Sequence, residues 1–138
     1  MIESQKKLPD TNIILRYLLK DEPHFYEKAN ELFEKVRVGE EKIIILESVF
    51  VECIYVLAKF YKVPRKEIVE KLKDLLLYKG IVNDDRDQLI EAFTIFINHS
   101  YLDIVDCILC AKAKMNNMKL FTFDEDLKKV YAAKKQTG

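Results

Sequence analysis

The chain has 138 residues, which suits one domain with a core that needs no disulfide or metal staple. Hydrophobic residues make up 49% and charged residues 33%, which excludes a disordered, collagenous or rod-like chain. Lys plus Arg number 23 and Asp plus Glu number 23, so a generic polybasic binder of nucleic acid or membrane is excluded, though not a local patch.

Only three glycines are present, at 39, 80 and 138, so neither a Gly-x-Gly-x-x-Gly turn nor a Walker loop can be written. The three cysteines, Cys53, Cys107 and Cys110, lie in apolar helical stretches. An odd count and no signal peptide point to a reducing cytoplasm. The apolar run from Leu46 to Phe60 is broken by Glu47 and Glu52, so it does not read as a membrane span.

Residues 1 to 9 read as a short strand ending at Pro9. Ile13, Ile14, Tyr17 and Leu18 have helical spacing over Asn12 to Leu19, and Asp21-Glu22-Pro23 breaks it. A second helix is expected from His24 to Val36, with Phe25, Ala29, Leu32, Phe33 and Val36 on one face and Gly39 as its stop. Lys42 to Leu46 is β-branched, short and apolar on both faces, as a strand buried on both sides reads. Ser48 to Lys62 returns to helix through Val49, Cys53, Val56 and Phe60.

Pro64 then opens a helix with Ile68, Leu72, Leu75 and Leu76 as its stripe. Ile81-Val82 is a candidate short strand. Asp87 to Asn98 is helical on Leu89, Ala92, Phe93 and Phe96, and Asp103 to Asn116 is helical too. Lys119 to Thr122 reads as a last strand, Asp126 to about Ala133 as a last helix, and the tail from about 134 as frayed. Strands alternating with helices predict an α/β domain over 1–138, its sheet mostly parallel with helices on both faces.

In such a sheet, ligands bind beyond the carboxyl ends of the strands. Asp10 follows the first strand and Asp124 the last, so both are expected at one sheet edge. Glu52 and Asp106 sit within apolar helical runs, where a lone carboxylate costs several kcal/mol unless paired or metal-bound. Each acid also has a plainer reading. Asp10, Asp103, Asp124 and Asp126 are all good helix caps. Capping does not explain Glu52 or Asp106. Four clustered carboxylates would repel one another, and a hard divalent cation removes that repulsion. Such an ion polarises a phosphoryl oxygen and acidifies a bound water, which is chemistry for phosphodiester hydrolysis.

The segments Asp10-Thr11-Asn12-Ile13-Ile14-Leu15-Arg16-Tyr17-Leu18, Glu47 to Leu57 with Glu52, Asp103-Ile104-Val105-Asp106-Cys107, and Phe121-Thr122-Phe123-Asp124-Glu125-Asp126 stand in this order. Together they resemble the four acidic blocks of PIN domains. The resemblance implies a three-layer α/β/α sandwich with a central, mostly parallel sheet of four or five strands. It implies a Mg²⁺- or Mn²⁺-dependent ribonuclease whose metal-holding and catalytic acids are Asp10, Glu52, Asp106 and Asp124. Asp103 and Asp126 would be additional acids, and Asn12 and Thr122 supports. In size the chain is similar to VapC-type toxins of toxin–antitoxin pairs. That implies an RNA substrate, a cognate antitoxin and a homodimer. Two departures stand out: Lys6-Lys7-Leu8-Pro9 is polar for a buried first strand, and no clear strand follows the last helix.

Arg16, one turn past Asp10, is the candidate RNA contact at the pocket mouth, with Lys6, Lys7, Arg65 and Lys112 as others. A solvated charge explains each equally well. Cys107-x-x-Cys110 lacks the further ligands of a zinc site and reads as core. His24 and His99 share no motif. Tyr55, Phe60 and Tyr61 could form a dimer or antitoxin surface. A non-catalytic PIN-like scaffold that binds RNA or protein is the rival reading. An Asp-x-Asp phosphatase is disfavoured because Asn12 fills the second acidic place, and a receiver domain because its adjacent early acids are missing.

Overall fold

A computed structural model describes residues 5–137, with side chains through 133. The chain divides into two compact units, Met1–Asp84 and Asp85–Gly138. The first contains α1 (Thr11–Leu19), α2 (Pro23–Val38), α3 (Glu47–Lys59) and α4 (Arg65–Leu76). The second contains α5 (Arg86–Asn98), α6 (Ile104–Met115) and α7 (Glu125–Thr137).

In the first unit α1 packs against α2 and α3, and α3 against α4. Helix α1 starts where Asp10 accepts the Ile13 N–H at 3.0 Å, and it stops at left-handed Lys20, whose N–H donates to the Arg16 carbonyl. Pro23 opens α2 because a first-turn residue needs no N–H donor. Gly39 closes it at φ 89°, a conformation that suits a residue without Cβ. The buried face of α2 is Ala29, Phe33 and Val36, while Phe25 is 53% exposed and drops out of the expected stripe. On α4, Ile68, Leu72, Leu75 and Leu76 are buried as their spacing demands. Each such side chain contributes roughly 1.5–3 kcal/mol.

In the second unit α6 packs against both α5 and α7. Leu89, Ala92, Phe93 and Phe96 form the buried stripe of α5. Ile104, Cys107, Ile108, Cys110 and Ala111 form that of α6, and Leu127 and Val130 are buried on α7. Helix α7 continues to Thr137, past the end expected near Ala133. Among the described residues, no helix is long and apolar enough to cross a membrane.

The expected α/β/α sandwich is not what forms. Among the described residues there are seven helices and no β-strand, so there is no central parallel sheet of four or five strands. Two isolated parallel bridges are present instead, Lys7 with Ile43 and Ile43 with Ile81. They rest on Lys7 N–H to the Lys42 carbonyl at 3.0 Å, Ile44 N–H to the Lys7 carbonyl at 3.0 Å, Ile43 N–H to the Gly80 carbonyl at 2.8 Å and Val82 N–H to the Ile43 carbonyl at 3.0 Å. The physical reason they stay isolated is visible at Ile45. Its N–H donates to Asn83 Oδ1 at 3.0 Å, and its carbonyl accepts from Asn83 Nδ2 at 2.7 Å. A buried side-chain amide has taken the place of a neighbouring strand, and α3 begins two residues later.

On the other side, Pro9 has no N–H to extend the pairing. Residues 1–4 of the expected first strand lie outside the described residues. Lys119 to Thr122 forms no bridge. Met118 turns back so that its N–H reaches the Ala113 carbonyl at 2.8 Å, and the Tyr131 hydroxyl donates to the Met118 carbonyl at 3.0 Å.

Candidate active site

Asp10 and Glu52 belong to the first unit. Asp10 stands at the N-terminus of α1 and Glu52 on α3, both exposed. One Asp10 oxygen closes the first helical turn, and its charge also suits the positive end of the helix dipole. A residue not singled out with them from the sequence feels both acids: Cys53, fully buried on α3. Its thiol is pushed up to about 12, first by burial, then by the negative charges of Glu52 and Asp10. The charges of both carboxylates therefore bear on the same sulfur. The signal in the sequence was only the adjacency of Cys53 to Glu52.

Asp103, Asp106, Asp124 and Asp126 belong to the second unit. Asp103 caps α6 by accepting the Asp106 N–H at 2.9 Å. Asp106, half-buried one turn along, has its carboxyl raised above the ordinary aspartate value. Burial is the main cause, followed by the charge of Asp103, with a contribution from Asp124. Asp124 accepts the Leu127 N–H at 3.0 Å, which starts α7. Its own N–H donates to Thr122 Oγ1 at 3.1 Å, so Thr122 shapes the turn that presents Asp124. Asp126 lies exposed in the first turn of α7, and Asn12 lies exposed on α1.

The plainer reading of Asp10, Asp103 and Asp124 as caps is thus met in full. Glu52 is not enclosed by the apolar run around it; the helix turns it outward to solvent. Arg16 is 6% exposed, and its guanidinium is taken up within the first unit. It pairs with Glu22, with Asp21 at 3.3 Å, and donates to the Tyr61 hydroxyl at 3.0 Å. Cys107 and Cys110 are buried on α6 and form no disulfide.

Among the described residues, no group of three or more His, Cys, Asp or Glu stands close enough to hold a metal ion. The donors present are nevertheless of one kind. In each unit carboxylates bear electrostatically on a common neighbour, Cys53 in the first and Asp106 in the second. Mg²⁺ is commonly held by only one or two carboxylates, with water and substrate phosphate completing the shell. In chemistry these all-oxygen donors are the kind a hard divalent cation takes, although among the described residues they are not gathered into a group of three.

The PIN domain family model matches residues 7–133. A protein named VapC ribonuclease from Aquifex aeolicus (strain VF5) is 27% identical over 125 residues, covering 90% of this chain and 91% of that protein. No solved structure matches. With the family model spanning most of its length, the chain belongs to the PIN domain family.

Proposed function

We propose that the protein is a Mg²⁺- or Mn²⁺-dependent endoribonuclease and the toxin of a toxin–antitoxin pair. Asp10 and Glu52 in the first unit, and Asp106 and Asp124 in the second, are the catalytic and metal-holding acids of this reading, and Asp103 and Asp126 lend further negative charge. The observation that carries this reading is the crowding of like charge at Asp106, where Asp103 and Asp124 oppose its ionisation. Unrelieved repulsion among acids is a feature that a bound cation removes. The second support is the similarity of the chain to a VapC ribonuclease over most of both lengths.

When bound, the cation supplies Lewis acidity to a phosphoryl oxygen and acidifies a water. The chain itself supplies the carboxylates, and the two at helix starts, Asp10 and Asp124, are held still. Asp10 is fixed by the Ile13 N–H, and Asp124 by the Leu127 N–H and the turn around Thr122. Rigid carboxylates lose little entropy when they engage an ion. Exposed Tyr55 and Phe60 at the end of α3 give apolar area for a second copy or an antitoxin. Three buried cysteines without a disulfide suit the reducing cytoplasm.

The test is cleavage of single-stranded and structured RNA with Mg²⁺, Mn²⁺ or EDTA, wild type beside Asp10→Asn. The expected result is metal-dependent cutting that falls at least ~100-fold in the variant, the scale of losing one group that stabilises the transition state. Equal cutting by both proteins, or cutting that survives EDTA, overturns the assignment.

A further inference from the structure

At the end of α1 away from Asp10, the first unit contains a cavity of about 500 Å³. That is within the usual range for a small-molecule site, roughly 300–1,000 Å³. Its walls carry three tyrosines, Tyr17 of α1, Tyr26 of α2, and Tyr78 just after α4. The Tyr17 ring is fixed by stacking on Phe33, with centroids 4.6 Å apart. Its hydroxyl lies 2.5 Å from that of Tyr78 and donates to Glu34 at 3.3 Å.

The polar groups in the cavity divide into used and unused. Glu34 is held by Tyr17 and by Arg37 at 3.1 Å. Asn30 accepts the Tyr26 hydroxyl at 3.3 Å, but its amide N–H groups donate to no partner among the described residues. Lys20 and Lys71 line the same space and form no ion pair within 4.0 Å among the described residues. Aromatic faces, free amide donors and two available ammonium groups are the parts that bind a base and its phosphate. A base stacks on a phenol ring, an amide reads a base edge, and a lysine pairs with a phosphodiester. An arginine side chain would meet two like charges here. Asp74, on the same wall, holds the local charge down and disfavours a polyphosphate.

We propose that this cavity is a nucleotide subsite, taking one base with its phosphate, either within RNA or as a free nucleotide. As an RNA subsite it rests on the ribonuclease reading. Tyr17 lies roughly 10 Å along the axis of α1 from Asp10, at a rise of about 1.5 Å per residue. A short strand following α1 therefore places one base in the cavity while a phosphate a few units away lies near Asp10.

The test uses ¹⁵N-labelled full-length Asp10→Asn protein, so that RNA is bound and not consumed. Nucleoside monophosphates and a short single-stranded RNA are titrated separately and followed by NMR. Saturable shifts at the Asn30 side-chain amide and at the backbone amides of Tyr26 and Lys71 are expected. Lys71→Ala and Asn30→Leu, each checked for an intact spectrum, should weaken binding about tenfold. Shifts with RNA alone identify an RNA subsite, and shifts with both ligands a site for the nucleotide itself. Shifts that leave these three residues unmoved, or unchanged affinity in both variants, overturn the proposal. Cleavage by the wild type is read separately. An enzyme that cuts RNA while its cavity stays silent loses the subsite and keeps the ribonuclease assignment. Binding at the cavity by a protein that never cuts does the reverse.

Discussion

At Asp10 one oxygen closes a helical turn and the charge remains exposed, so two roles share one carboxylate. They separate by substitution. Asp10→Ala removes the cap and should cost about 1 kcal/mol in urea unfolding, whereas Asp10→Asn keeps it within a few tenths. If both variants lose activity but only Ala loses stability, the charge and not the cap is what cleavage needs.

Asp106 gives a pH signature. Its folded carboxyl is raised by burial, then by Asp103, so its charge opposes folding. The carboxylic acid form favours the fold at low pH, and that advantage is lost as pH rises through the folded value. Asp106→Asn should therefore raise the melting temperature at neutral pH by on the order of 1–3 °C, a small gain because the group is half-exposed and screened. Below about pH 3 the gain should vanish, because both states of the wild type are then protonated. A gain that persists there would mean the effect is not electrostatic. The capping residues were legible in the sequence from residue type and position. The pull of two acids on Cys53 was not, because it depends on how α1 and α3 pack.

Among the elements, the helices were legible and the strands were not. Helical stripes repeat over three or more turns, as at Ile68, Leu72, Leu75 and Leu76, and such a period has no other good explanation. Strand readings of four or five residues carry no such redundancy. Lys42 to Leu46 has the composition of a buried strand, and Ile43 and Ile45 are indeed fully buried. Yet only Ile43 is bridged, because Asn83 occupies the backbone of Ile45. Asn83→Leu leaves two buried backbone groups unsatisfied and should cost about 2–4 kcal/mol in urea unfolding. A cost below about 1 kcal/mol would mean water or backbone replaces the amide.

Gly80 is the second constraint on this connection. Its N–H reaches the Val36 carbonyl at 2.7 Å, and a Cβ there would run into the backbone carbonyl oxygens of Glu41 and Val36. Gly80→Ala should destabilise by about 3 kcal/mol, since backbone and not a flexible side chain must give way. A chain that tolerates alanine there would show that the connection can shift.

At the scale of the whole molecule, family membership was the most legible property. It rests on the order of four short acidic blocks, and order survives in sequence when geometry does not. The expected convergence of Asp10 and Asp124 at one sheet edge was a geometric inference, and that sheet is absent from the described residues. What groups the acids locally is helix capping and helix packing: Asp10 and Glu52 in the first unit, Asp103, Asp106 and Asp124 in the second.

The central proposal is that acids grouped within the chain carry out RNA hydrolysis. A double-mutant cycle in kcat/KM for RNA cleavage, combining Asp106→Asn with Asp124→Asn of the second unit, tests it most directly. Groups that act as a unit are strongly non-additive, so the double variant should be about as slow as the slower single variant. Losses that multiply, with the double variant falling by the product of the two single effects, would contradict a shared site.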